Sequence, residues 1–385
     1  MHSALLGELC ILRGGSAFPK EEQGSKAGIY PFVKVSDLAL PDNGNTLSAA
    51  NHWISEVQRL RLRPSIAPAG SVLFAKIGVG LLAERMSVAT QATAFDNNMM
   101  AATPIADACY PGFLPYLLTT LNISSYAVGS ALPYLKQSTL VAIPCVIPEL
   151  PGQRAIAEVL GALDDKIAAN ASLICTADEL AAVRFQALVA EGAEGRPLSS
   201  LAQFVNGKAF TKGASGTGRV VIRIAELNSG LGNSTVYNDI DVADHHLARP
   251  GDLLFAWSGS LTVHRWYRSE GIVNQHIFKV IPSTAPLWVV NGALRRKLAE
   301  FKGIAADKAT TMGHIQRHHL DEEVLIPTLS TINENDDAMT ALWDRALQAE
   351  RESLHLEELR DTLLPHLMSG HLPVKDAEQV VGEVV

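Results

Sequence analysis

An apolar stripe with heptad spacing runs through the stretch from Pro151 to about Ala190. Apolar residues recur there at alternating steps of three and four, at Leu160, Leu163, Ile167, Ile174, Ala177, Ala181 and Leu188, while Asn170 and Arg184 occupy two slots of the same stripe. This spacing is typical of a helix that packs along a partner helix. At about 1.5 Å per residue the stretch would form a rod of roughly 60 Å. It predicts a spacer or packing arm, because helices of globular cores are usually shorter.

The same stripe recurs 179 residues later in the chain. Its members there are Met339, Leu342, Ala346, Ser353, Leu356, Arg360 and Leu367, with Ala349 at the position of Asn170 and Leu363 at that of Arg184. The agreement in heptad phase predicts a second long helix and suggests an internal duplication.

The segments before the two stripes repeat as well. The ranges 6–18, 30–38 and 69–78 align with 198–210, 220–227 and 250–259, and a strand that ends in Ile143-Pro144 or Ile326-Pro327 closes each block. Apolar and polar residues alternate in 30–38 and 220–227, which predicts a strand with one buried face. The order is therefore block, helix, block, helix.

This order predicts an α+β protein with five segments. They are a first mixed α/β block at 1–150, a long helix at 151–194, a second such block at 195–330, a second long helix at 331–370 and an acidic tail at 371–385. Pro151 suits a first helical turn, and glycines near 192 and 370 suit helix ends.

The charge distribution changes what the net charge of −8 implies. Net charges in the ranges 1–150, 151–194, 195–330 and 331–385 are 0, −4, +4 and −8, so the acidic residues concentrate on the helices and the tail. A basic face on either block remains compatible with these values. The four cysteines are scattered without metal-ligand spacing, which predicts reduced thiols. With no signal peptide and no apolar run of membrane-spanning length, we expect a cytoplasmic protein without a membrane partner.

Four stretches carry a resemblance to a known family. They are GKAF with IRIAEL in the second block, GDLLFAWSG, IPELPGQRAIAEVLGALDDKI at the start of the first long helix, and LEELRDTLLPHLMSG at the end of the second. Together with the duplication they resemble the specificity subunits of type I restriction–modification systems.

This resemblance implies a specific architecture and a set of partners. Each block would be a target-recognition domain that reads one half of a split site in double-stranded DNA, and the helices would pair as an antiparallel coiled coil related by a pseudo-twofold. The helices would set the half-site spacing and dock two methyltransferase subunits, and a restriction–translocase subunit would join the larger complex. The chain itself would carry neither an active site nor a cofactor, and S-adenosylmethionine would bind to the methyltransferase. Such a protein acts in the bacterial or archaeal cytoplasm, associated with the nucleoid through DNA.

Candidate DNA-binding residues are those in the duplicated segments that can donate hydrogen bonds to bases or neutralise phosphates. In block one they are Lys20, Lys34, Lys76, Asn97, Asn98, Lys136 and Gln137. In block two they are Lys208, Lys212, Arg223, Trp257, Ser258, Ser260, Asn274, Gln275, His314, Gln316 and Arg317. For any one of them an ordinary surface position is the alternative, and for Trp257 a position in the core.

Other patterns fit catalysis or metal binding poorly. Lys76–Gly80 contains G-x-G without a complete nucleotide-binding motif. The pairs His245-His246 and His318-His319 lack further ligands at metal spacing, and we interpret them as solvated.

The candidate helix-interface residues are those of the two stripes: Leu160, Leu163, Ile167, Asn170, Ile174, Leu342, Leu356, Leu363 and Leu367. Asn170 either fixes the register of the pair or lies solvated at a loosened point. Two other functions stay open, a coiled-coil adaptor that does not bind DNA and an enzyme, such as a nuclease, with an unrecognised site.

Overall fold

The computed structural model describes residues 1–40, 43–129, 131–307 and 313–385. In block one the strands are β1 His2–Leu5, β2 Cys10–Gly14, β3 Tyr30–Val33, β4 Thr46–Leu47, β5 Trp53–Ile54, β6 Ile66–Ala67, β7 Val72–Ala75, β8 Met86–Ala89, β9 Thr93–Phe95, β10 Met99–Pro104 and β11 Pro144–Ile147. Its helices are α1 Leu6–Leu9, α2 Glu56–Leu62, α3 Gly78–Leu82, α4 Leu114–Thr120 and α5 Gln137–Val141.

The first long helix, α6 Leu150–Glu191, leads to block two. The strands of block two are β12 Ala193–Pro197, β13 Ala202–Asn206, β14 Arg219–Ile222, β15 Tyr237–Asn238, β16 Leu247–Ala248, β17 Leu253–Ala256, β18 Thr262–Arg265, β19 Gly271–Val273, β20 Ile277–Pro282 and β21 Glu323–Pro327. Its helices are α7 Leu198–Leu201, α8 Ile224–Ser229 and α9 Leu287–Asp307, and the chain ends with α10 Leu329–Met368 and α11 Val374–Gly382.

Strand order within the described residues is duplicated. Block one has the sheets β2-β10-β7-β8-β4 and β5-β3-β9-β6, and block two has β13-β20-β17-β18 and β15-β14-β19-β16. In each block the second sheet contains one parallel pair, β3 with β9 and β14 with β19. The mixed α/β fold of both blocks, predicted from the sequence, is confirmed.

The predicted strands 30–38 and 220–227 are too long. The strands end at Val33 and Ile222, and the chain then turns into a 3-10 helix or into α8. The turn forms because the N–H of Lys34 donates to Asp37 at 2.8 Å and that of Arg223 donates to Glu226 at 3.0 Å. A carboxylate three residues ahead thus satisfies the first free amide of the turn.

Both long helices are present, with slightly different ends from those predicted. Helix α6 has 42 residues and stops at Glu191, three residues before position 194, while α10 has 40 residues and starts at Leu329. The segment interpreted as an acidic tail includes α11, which buries Ala377 and Val381.

The chain forms two compact units, and each contains one block and part of both long helices. Unit 1 comprises residues 1–168 and 356–385, and unit 2 comprises residues 169–355. In unit 1, Leu160 and Leu163 of α6 join Leu356, Leu363 and Leu367 of α10 in one buried cluster.

In unit 2 the two helices run antiparallel. The amide of Asn170 donates to Glu352 at 2.9 Å, and Arg184, further along α6, donates to Asn335, earlier in α10. Antiparallel pairing of the long helices is thereby confirmed. None of the helices in the described ranges has the length and apolarity needed to span a bilayer.

Candidate nucleic-acid interface

Four chain segments meet at one edge of block one. They are the loop after β2, the residues that follow β7, the turn between β9 and β10, and the segment before α5. The N–H of Lys76 donates to the carbonyl of Asn98 at 2.9 Å, and the N–H of Leu135 donates to the carbonyl of Lys76 at 2.8 Å. These bonds bring together segments that are far apart in the sequence.

Block two repeats both of these bonds and adds a third. The N–H of Trp257 donates to the carbonyl of His276 at 3.1 Å, and the N–H of Ile315 donates to the carbonyl of Trp257 at 3.2 Å. The N–H of Gln275 donates to the carbonyl of Lys208 at 2.9 Å. The two blocks therefore present equivalent backbones that carry different side chains.

One glycine in each block allows the loops to approach closely. A Cβ atom at Gly15 would overlap the carbonyl of Asp96, and one at Gly207 would overlap the carbonyl of Asn274. Only glycine permits this contact, which explains why both loops carry it at the aligned position.

The candidate residues of block one fall into two groups. Lys76 and Asn98 lie side by side, and Lys136 follows Leu135, so these three side chains share one edge. Gln137 begins α5 and donates its amide to the carbonyl of Leu12 at 2.9 Å. Most of the block-one candidates are exposed, namely Lys20, Asn97, Asn98, Lys136 and Gln137, while Lys34 and Lys76 are half-buried.

Lys20 and Lys34 belong to a neighbouring loop. Lys20 begins a 3-10 turn, and the ammonium of Lys34 donates to Gln23 at 3.2 Å next to that turn. Val33, which precedes Lys34, accepts the N–H of Asp96 at 2.9 Å, so this loop borders the β9–β10 turn.

Trp257 forms the centre of the block-two edge. Its indole N–H donates to Asn206 at 2.8 Å, and the rings of His276 and His314 lie 5.1 and 6.3 Å from its ring. The residue is half-buried, so part of it remains accessible to solvent. An indole held in this way can stack on a base or a sugar.

The remaining candidates of block two differ in exposure. Lys208, Lys212, Ser260, Gln275, His314, Gln316 and Arg317 are exposed. Asn274 and Ser258 are only 6% and 5% exposed, contrary to their expected role at the surface. The side-chain oxygen Oδ1 of Asn274 accepts the N–H of Phe210 at 3.0 Å, so this side chain supports the loop that contains Phe210.

Arg223 is already engaged within the fold. Its guanidinium donates to both carboxylate oxygens of Glu226 and to the carbonyl of Ser234 at 2.7 Å. Burial opposes ionisation of Glu226, but Arg223 outweighs it and lowers the pKa of this carboxyl. The pair therefore braces the start of α8.

The interpretation of the histidine pairs as solvated is half wrong. His246 and His319 are only 5% and 6% exposed, whereas His245 and His318 are exposed. Burial lowers the pKa of His246, and His245 and Lys208 add to the shift. Nδ1 of His319 accepts the N–H of Gln316 at 2.8 Å and so orders the segment next to His314.

Sequence reasoning missed Asn206 and His276. Asn206 orients the indole of Trp257, and His276 occupies a left-handed backbone conformation with φ of 72° in the β19–β20 turn. Its alignment with Asn98 was the available signal for His276, whereas nothing in the sequence linked Asn206 to Trp257.

The stripe residues line the helix pairs to different degrees. Leu160, Leu163, Asn170, Leu356, Leu363 and Leu367 are at most 6% exposed, while Ile167, Ile174 and Leu342 are half-buried.

In each unit a group of charged side chains links the block to both long helices. In unit 2, Arg265 of β18 binds Asp178 of α6 and Glu350 of α10. In unit 1, Asp164 of α6 accepts hydrogen bonds from Tyr116 of α4 at 2.6 Å and from Arg360 of α10 at 2.8 Å. Each block is therefore held in a fixed orientation on its own part of the helix pair.

Comparison with solved structures places the fold. A crystal structure of the S subunit of a type I restriction–modification system from M. genitalium is similar over 95% of each chain, with a TM-score of 0.59 and 15% identity. The HsdS subunit from Thermoanaerobacter tengcongensis aligns over 96% of this chain and 97% of its own, with a TM-score of 0.35 and 15% identity. A structure from work on complex assembly and conformational transition of the type I R-M system aligns over 96% of this chain and 98% of its own. Its TM-score is 0.40 and its identity 14%.

The first part of the sequence matches a family model. Residues 3–175 match the model of the type I restriction modification DNA specificity domain, whereas no curated protein matches the chain. Block two lies outside the matched range but repeats the strand order and the edge of block one. Residues 3–175 of this chain are therefore similar to the DNA specificity domain of type I restriction–modification systems.

Proposed function

We propose that each block reads one half of a bipartite target in double-stranded DNA through the edge described above. The observation that supports this most directly is the duplicated edge, with one backbone scaffold and two sets of side chains. Block one offers lysines and amides, and block two offers an indole, imidazoles and amides. Side chains of these types position a protein on phosphates and read base edges.

In this proposal α6 and α10 separate the two half-sites and dock two methyltransferase subunits, and a restriction–translocase subunit joins the larger complex. A specificity subunit acts with DNA and with the other subunits of its system, and a duplicated chain offers two equivalent surfaces for two copies of one partner. The half-site spacing then becomes a consequence of helix length.

The chain contributes recognition, and the chemistry belongs to its partners. S-adenosylmethionine would bind to the methyltransferase subunits, which we expect to methylate adenine. The complex would act in the bacterial or archaeal cytoplasm, on nucleoid DNA. Phosphate contacts from the lysines should make its affinity fall as the salt concentration rises.

A block exchange tests this function. Residues 193–327, from β12 to β21, are replaced by the corresponding block of a relative that recognises a different target. The complex of this chimera with its methyltransferase is then selected against random duplex DNA. We expect one half of the selected sequence to change while the other half and the spacing stay the same. Selection of two changed halves, or of two unchanged halves, would refute modular reading.

A further inference from the structure

Three aliphatic side chains of block one that lie on or beside α3 are exposed to solvent. Val79 is 83% exposed, Leu82 is 60% exposed and Leu132 is 61% exposed. We call these three residues the aliphatic tip. Single exposed apolar residues are ordinary, but a group of them marks an interaction site.

Backbone contacts hold the aliphatic tip in place. Val79 and Leu82 are three residues apart on α3, so they share one face of that helix. The N–H of Gly78, the first residue of α3, donates to the carbonyl of Pro133 at 2.8 Å. A Cβ atom at Gly78 would lie 3.4 Å from Leu132 Cδ1, which places Leu132 beside the start of α3. These contacts tie α3 to the segment that contains Leu132.

The aliphatic tip sits within the candidate DNA-binding edge. Lys76 lies two residues before α3, and Lys136 follows the segment that contains Leu132. The N–H of Lys76 also donates to Asn98, whose side chain is exposed. Lysines on both sides of an apolar group suit a polyanion whose phosphates flank an apolar feature.

Duplex DNA offers one such feature in the major groove. The C5-methyl group of thymine projects there, and aliphatic side chains recognise it by contact. In the described part of the equivalent edge, Ser258, Gly259 and Ser260 take the places of Ile77, Gly78 and Val79, so a polar residue stands where block one has Val79.

We propose that the aliphatic tip reads the C5-methyl group of a thymine in the half-site recognised by block one. This inference rests on the proposed function and names the base feature that one block reads. It makes Val79, Leu82 and Leu132 specificity-determining residues, whereas Lys76 and Lys136 provide affinity without base discrimination.

The test uses the complex of the full chain with its methyltransferase and two random duplex pools, one with thymine and one with deoxyuridine. Deoxyuridine pairs with adenine as thymine does but lacks the methyl group. We expect thymine at one or more positions of the block-one half-site, and a loss of preference there in the deoxyuridine pool. On the selected duplex the replacement should weaken binding roughly fourfold, the effect of one buried methyl group.

Variants then assign the effect to the tip. In Val79→Ser/Leu82→Ser, thymine and deoxyuridine duplexes should bind equally well, while the block-two half-site is retained. The control Val146→Ser changes a residue that is also 60% exposed but lies on β11, and it should keep the fourfold difference.

The alternative outcomes separate the two proposals. The inference is overturned by a block-one half-site without thymine, or by equal binding of both duplexes by the unaltered complex. Block exchange still tests the proposed function in either case. If the double variant loses its methyltransferase subunits but still discriminates thymine from deoxyuridine, the tip contacts protein and the inference is wrong.

Discussion

Arg265→Met should destabilise unit 2 far more than removal of an exposed ion pair does. Nε and Nη2 of Arg265 lie 2.7 and 3.0 Å from the two carboxylate oxygens of Glu350, and Nη1 lies 3.1 Å from Asp178. The guanidinium also stacks over Trp343 at 4.6 Å. Arg265 itself is only 6% exposed, so the substitution leaves the carboxylate of Glu350 without its partner in a poorly hydrated place.

The expected size of the loss follows from burial. The side chain of Glu350 is 14% exposed, and removing one partner of such a pair costs about 3–5 kcal/mol of unfolding free energy. Asp178, at 43% exposure, regains water and adds less than about 1 kcal/mol. For a unit of this size the sum lowers the Tm by about 10 °C.

Tryptophan fluorescence during urea denaturation of the full chain measures this loss. Trp257, Trp266, Trp288 and Trp343 belong to unit 2, and Trp53 is the tryptophan of unit 1, so the signal mainly reports unit 2. The matched control is Arg219→Met, because Arg219 pairs with Glu270 at 2.7 Å with 37% and 32% of the two side chains exposed. We expect the control to cost at most about 1 kcal/mol.

The deficit should also depend on pH. Burial raises the pKa of Glu350 above its ordinary value, and Arg265 opposes this shift. A carboxyl with a raised folded-state pKa contributes stability below its unfolded pKa and loses it as pH rises through the folded value. Without Arg265 that pKa rises further, so the deficit of Arg265→Met should be larger near pH 8 than near pH 5.

A double variant gives the decisive comparison. Arg265→Met/Glu350→Gln removes the stranded charge and should recover part of the loss. Equal stabilities of Arg265→Met and Arg219→Met, or a deficit that is independent of pH and unaffected by Glu350→Gln, would refute the reasoning.

Three further predictions follow from the geometry. In differential scanning calorimetry, Asp164→Asn should lower the Tm of unit 1, because it weakens the bonds to Tyr116 and Arg360 at a cost of about 2 kcal/mol. Asp361→Asn should leave that Tm unchanged, since the side chain of Asp361 is 66% exposed. Gly207→Ala should abolish base preference in the block-two half-site alone, because the added Cβ would overlap the carbonyl of Asn274. The control Gly232→Ala has open space around the added Cβ, so its complex should select the original site. Seven residues inserted after both Ala168 and His355 should lengthen the half-site spacing by roughly three base pairs; unchanged spacing in the selected duplexes would contradict the role of the helices.

The repeated elements were predictable from the sequence, because they depend on local patterns. The stripe from Leu160 to Leu188 identified α6, and its copy identified α10. The alignment of Gly15 with Gly207 also marked the two loops, since only a glycine fits there.

Individual side-chain roles were harder to predict, because they depend on contacts distant in sequence. Asn274 is predicted to read bases, and its side chain also accepts a hydrogen bond from Phe210, 64 residues earlier, which no local pattern indicates. Arg223 is predicted to bind DNA, and the sequence did not indicate that its guanidinium donates to Glu226 and to Ser234. The helix α11 was missed although Val374, Ala377 and Val381 recur at helical spacing; in the structure these residues pack within the core of unit 1.

The discontinuity of unit 1 has a consequence for the order in which the protein folds during synthesis. Block one leaves the ribosome before block two, yet its unit needs residues 356–385, which are made after block two. Until then Leu160 and Leu163 lack Leu356, Leu363 and Leu367, and their apolar surface is uncovered. Unit 2, by contrast, is continuous from 169 to 355 and can complete its core earlier. A premature stop near position 355 should therefore damage the block that was translated first and spare the one translated second.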